Sequence, residues 1–120
     1  MGLYIELRVQ KWTSYNKGET WKEESECIYD GGTTHNLTKM ADECDLYKAL
    51  WRPDESEWDK AKDIIAPLKL GLTDLKLRPE HFKQFNSPNG WGMYEHFLEF
   101  VETYLKACEE YPEAIIEISR

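Results

Sequence analysis

The sequence predicts an α+β fold: a small three-stranded, mainly antiparallel sheet, built from an N-terminal hairpin and a C-terminal strand and covered on one face by three to five helices. Three observations carry this. The chain opens with a strict alternation of apolar and polar residues, it closes with a short β-branched run, and the interval between repeats apolar residues at steps of three and four. With 120 residues, 41% hydrophobic and 13% aromatic, the chain is long enough for one core and too short for two, so a single domain over residues 1–120 is expected.

Leu3, Ile5, Leu7 and Val9 alternate with Tyr4, Glu6 and Arg8, the signature of a strand with one buried face. Tyr15-Asn16-Lys17-Gly18 supplies turn chemistry, and Thr20 to Tyr29 returns as a more polar strand at or near an edge. Leu37, Met40, Ala41, Cys44, Tyr47, Leu50 and Trp51 give one amphipathic helix or two short ones. Asp54 and Glu57, directly after Pro53, resemble a capped helix start, with Trp58, Ala61, Ile64, Ile65 and Leu68 as its apolar stripe and Pro67 as its kink or end. Leu70, Leu72, Leu75 and Leu77, among Gly71, Thr73 and Pro79, predict a buried but irregular stretch, followed by a helical turn from Glu80 to Phe85. A long helix carries Tyr94, Phe97, Leu98, Val101, Tyr104, Leu105 and Cys108 opposite Glu95, Glu99, Glu102 and Glu109. Residues 114–119, bounded by Pro112, form the last strand and pair with the first.

The net charge of −8 repels phosphate backbones, so no direct nucleic-acid binding is expected. The acidity is concentrated: residues 23–63 hold twelve acidic against five basic side chains, and residues 93–120 hold seven against two. No long apolar run appears and Met1 to Glu6 lack a signal pattern, which predicts a cytoplasmic protein with no membrane partner. Cys27, Cys44 and Cys108 are odd in number and widely spaced, and are expected to be buried, reduced thiols. His35, His81 and His96 occur singly, so no metal centre and no cofactor is expected.

Three places could carry chemistry. Thr33, Thr34, His35 and Asn36 follow Gly31-Gly32 in a segment expected to be a loop that enters a helix. Free N–H groups of a first turn, with hydroxyl and amide neighbours, suit an anion; an ordinary capped β-to-α turn has the same composition. Asn89-Gly90-Trp91-Gly92 opens the last helix, and Trp91, flanked by glycines, either stacks on a ligand or plugs the core. Arg52, in Leu50-Trp51-Arg52-Pro53, either clamps a phosphate or carboxylate or pairs locally with Asp54 or Glu55.

Thr34-His35-Asn36-Leu37, Leu50-Trp51-Arg52-Pro53, Asn89-Gly90-Trp91-Gly92, Tyr104-Leu105 with Ala107-Cys108, and Ser119-Arg120 together resemble a group of small phage and bacterial proteins with no established activity. The resemblance covers about Thr33 to Arg120 and implies an accessory protein of a bacterial host cell; it assigns no catalytic residue. The expected function is a non-catalytic binding module holding a small anionic, nucleotide-like ligand through Thr33, Thr34, His35, Asn36, Arg52, Asn89 and Trp91. Two alternatives stay open: an acidic inhibitor of a host defence or nucleic-acid-handling protein, acting through Glu95, Glu99 and Glu102, and a small enzyme using His35 as acid or base. A homodimer through the polar hairpin edge is a further arrangement that a three-stranded sheet leaves open.

Overall fold

Alternation places Leu3, Ile5 and Leu7 on one face of β1 (Gly2–Ser14), where each is at most 2% exposed, while Tyr4 on the other face is 43% exposed. The structure, a computed structural model, describes residues 2–14 and 21–120 and, for residues 11–14 and 21–23, the backbone alone. The expected turn at Tyr15 to Gly18 lies outside the described residues. β1 is the central strand, with β2 (Trp21–Thr34) on one side and β3 (Ile115–Ser119) on the other, both antiparallel.

β2 runs five residues further than Tyr29. Gly31 and Gly32, expected in a loop, lie in the strand opposite Ile5 and Tyr4, because the ladder with β1 continues to Gly2 opposite Thr34. The register slips between Leu7 opposite Tyr29 and Arg8 opposite Cys27, a bulge that leaves Ile28 as the extra residue. Cys27 is exposed, against the expectation of three buried thiols; Cys44 and Cys108 are buried.

The helical layer consists of α1 (Thr38–Glu43), α2 (Tyr47–Trp51), α3 (Ala61–Leu77), α4 (Pro79–Lys83) and α5 (Tyr94–Glu110), with 3-10 turns at His35–Leu37 and Pro53–Ser56. Asp54 and Glu57 do not start α3. They close the second 3-10 turn, with Glu57 at φ 59°. The cap is supplied later, by Asp63, whose Oδ2 accepts from the amides of Asp59 (3.2 Å) and Lys60 (3.1 Å).

Pro67 neither ends nor breaks α3, which continues ten residues beyond it to Leu77. Ile64, Leu68, Gly71 and Leu75 form its buried stripe, and burial of that stripe outweighs the one hydrogen bond that a proline removes. The four leucines expected in an irregular buried stretch are therefore helical, with Leu75 buried and Leu70 and Leu77 each 75% exposed. At Gly71 an added Cβ would run into the Leu46 side chain, so the glycine lets α3 approach the start of α2 closely.

α3 and α5 run antiparallel, bridged by Lys69 with Glu109 (3.3 Å) and Lys76 with Glu102 (3.8 Å). The Tyr94 hydroxyl donates to the Leu75 carbonyl (2.7 Å) and ties the start of α5 to the end of α3. Phe97, Val101, Tyr104 and Cys108 join Leu3, Ile5 and Leu7 in one core. Each fully buried Leu or Ile there contributes about 1.5–3 kcal/mol relative to exposure. No helix among the described residues is long and apolar enough to cross a membrane.

Candidate functional site

The end of β2 and the loop before α5 meet at one place. Thr34 caps the first 3-10 turn, its Oγ1 accepting from the Asn36 amide (3.2 Å). Asn36 then reaches across the fold and donates through Nδ2 to the Trp91 carbonyl (2.7 Å). The second loop is held by its own polar side chains. Asn89 Oδ1 accepts from the Trp91 amide (3.0 Å) and the Ser87 hydroxyl (2.5 Å), and Asn86 Oδ1 accepts from the Tyr94 amide (2.7 Å).

Gly90 and Gly92 sit at φ +80° and +114°, a region that side chains disfavour. At Gly92 an added Cβ would also stand 3.0 Å from Asn36 Cβ, so this glycine permits the two loops to touch. The result is a cleft of about 730 Å³ bounded by Thr33, Thr34, Asn36, Asn89, Trp91 and His96, with glycine backbone between them.

Trp91 is not a core plug. It is 71% exposed while its backbone is fixed by Asn36 and Asn89, which leaves the indole on a firm base with open faces. Among the cleft residues none is Lys or Arg, and the backbone amides of Asn36, Trp91 and Tyr94 are already satisfied by Thr34, Asn89 and Asn86. The polar groups facing an occupant are therefore hydroxyl, carboxamide and imidazole, and they suit a neutral hydrogen-bonding surface better than a concentrated negative charge. In the sequence His96 stands out only as a single histidine without ligand-pair spacing, and its exposed place on the first turn of α5 carries no periodic mark of the cleft.

No family model, no curated protein and no solved structure matches the chain.

Of the seven residues singled out from sequence, the structure brings Thr33, Thr34, Asn36, Asn89 and Trp91 to this cleft and directs His35 and Arg52 elsewhere. His35 Nδ1 accepts from the indole N–H of Trp51 (2.9 Å), so its ring proton sits on Nε2 and the lone pair a general base would use is occupied. Trp51 in turn stacks on Tyr47 at 5.8 Å. Arg52 takes the local role, with Nε 3.4 Å from the Tyr47 hydroxyl and 3.6 Å from the Glu55 carboxylate. Glu95, Glu99 and Glu102 are exposed on α5, and Glu102 is paired with Lys76. Among the described residues no three His, Cys, Asp or Glu side chains converge as a metal ion would need.

Proposed function

We propose that the chain is a non-catalytic binding module whose cleft holds a small molecule with a flat, hydrogen-bonding ring, of the nucleoside or nucleotide type. The observation that carries this reading is Trp91: a tryptophan 71% exposed, anchored through its own backbone, at the mouth of a cleft edged with Thr33, Asn36 and Asn89. A stacked base gains about 1–3 kcal/mol from such a surface, and amides and hydroxyls beside it match the edge of a base. The lack of Lys and Arg around the cleft assigns recognition to the ring, with any phosphate turned to solvent. The resemblance to phage and bacterial proteins adds a setting, an accessory protein in the cytoplasm of a bacterial cell.

Thermal-shift and native mass measurements against nucleosides, nucleotides and cyclic dinucleotides test the proposal, followed by calorimetry on any hit. A nucleoside and its monophosphate are expected to bind within a few-fold of each other, and Trp91→Ala to weaken both by about tenfold or more. Silence across the panel, or undiminished binding by the Trp91→Ala protein, rejects it.

A further inference from the structure

A second cavity opens at the far edge of the sheet. Its walls are Trp58, Ile116, Ile118 and Pro53, its rim is Asp54, Glu57, Asp59 and Arg120, and its volume is about 470 Å³. It exists because the helical layer stops short of β3: Ile116 and Ile118 lie opposite Leu7 and Ile5, yet are only half-buried where their partners are fully buried.

The backbone beside this cavity is also open. The segment around Lys60 covers the start of β3, with Ala61 N–H donating to the Ala114 carbonyl (2.8 Å) and Ile116 N–H to the Asp59 carbonyl (2.9 Å). There the cover ends. Among the described residues no backbone hydrogen bond joins β3 to the chain before Asp59, which turns at Glu57 (φ 59°) and lines the cavity instead. Strand alternation aims the Ile118 N–H and C=O the same way as those of Ile116, into the uncovered edge.

Charge selects the occupant. Arg120 already donates to Asp54 Oδ1 (3.1 Å) and to the Trp51 carbonyl (2.8 Å), so Asp54 is matched. Glu57 and Asp59 form no ion pair among the described residues, and the Asp59 side chain lies against the Asp63 carboxylate, which leaves negative charge unmatched by a cation above an apolar wall containing an indole. A Lys or Arg side chain fits both parts, its methylene stem along Trp58, Ile116 and Ile118 and its head between the carboxylates.

We propose that β3 accepts an extended basic peptide as a fourth strand, paired at Ile118, with one Lys or Arg side chain in the Trp58 cavity. Main-chain pairing supplies the register and the cavity supplies the preference for a cation. This site shares no residue with the Trp91 cleft, so the two proposals stand or fall separately.

The test uses the full chain and the blocked pentapeptide acetyl-Val-Lys-Val-Arg-Val-amide, followed by amide and indole NMR shifts. Saturable shifts are expected at Ile118 and at the Trp58 indole, with affinity falling as salt rises. The double variant Glu57→Gln, Asp59→Asn is expected to weaken binding at least fivefold, and Trp91→Ala to leave it unchanged. A peptide with Glu in place of Lys and Arg, and one N-methylated along its backbone, are both expected to lose the shifts. Absence of saturable shifts at millimolar peptide, shifts confined to other residues, equal binding by the Glu peptide, or a double variant that binds as the parent overturns the proposal.

Discussion

Asp45 and Glu57 occupy the left-handed region, at φ 60° and 59°, without being glycine. Each ends a short helical segment in the same way: Leu46 N–H reaches back to the Ala41 carbonyl (2.8 Å), and Trp58 N–H to the Pro53 carbonyl (3.0 Å). Glycine adopts this conformation freely, so Asp45→Gly and Glu57→Gly are each expected to raise stability by about 0.5–1 kcal/mol, read as a higher thermal midpoint. Glu57→Gly should gain more, because an aspartate tolerates the left-handed region better than a glutamate. These two residues also explain why the helix ends were illegible in the sequence. A glycine would have announced a stop, whereas Asp54 followed by Glu57 imitates a start. The thiols give a second residue-scale prediction. Burial pushes Cys44 and Cys108 up to about 12, while Cys27 is exposed on β2. Iodoacetamide should modify one thiol in the native protein and three in denaturant, counted by mass; rapid native modification of two or more would contradict the burial.

At the scale of elements, α3 is where pattern and structure part. Its apolar stripe was visible up to Leu68, and proline and glycine chemistry then argued for a break that tertiary packing overrides. Pro67→Ala restores an interior hydrogen bond donor and is expected to stabilise the protein by about 1–2 kcal/mol, after allowing for the freer unfolded chain. Gly71→Ala is expected to act in the opposite sense, costing about 1–3 kcal/mol, because Leu46 must move to admit the methyl group. Urea melts of the two variants check both signs. α5 was legible almost to the residue, since it has one continuous buried face, and β1 was legible from Leu3 to Val9, where the alternation is clean, although the strand runs on to Ser14. β2 was read short: its last five residues are held by pairing with β1, and Gly31 and Gly32 carry no side-chain alternation that could have revealed it. The Trp91 cleft was legible as two turn motifs, while their contact through Asn36 spans 55 residues and follows from the fold alone.

For the molecule as a whole, ionisation limits stability at both ends of the pH scale. On the acid side, Asp54 is lowered by its hydrogen bond from Arg120, Asp63 by the Lys60 amide, Asp74 by Arg78, and Glu113 by Lys60 and Lys62. A lowered folded value means that stabilisation is present above the unfolded value of about 4 and is lost as pH falls through the folded one. On the alkaline side, burial raises Cys44, Cys108 and Tyr29 to about 12 from ordinary values of 9.0 and 10.0. Stabilisation from these groups is complete below the ordinary value and is lost as pH rises from there towards the raised one. Thermal midpoints are therefore expected to be flat between about pH 5 and 8 and to fall on either side, and a midpoint that holds steady down to pH 2 would contradict the carboxylate contacts.

The place of β1 at the centre of the sheet also sets the tempo of folding. Its pairing with β2 joins neighbours along the chain, but its pairing with β3 brings Tyr4 to Ser119 and Arg8 to Ile115, closing a span of more than a hundred residues. Closing a loop of that length costs about 4 kcal/mol of chain entropy beyond a fixed constant, against which the five-residue ladder of β3 offers little until the helical layer has brought its ends together. The hairpin and the α3–α5 pair are thus expected to form early, with the edge beside Trp58 completed last.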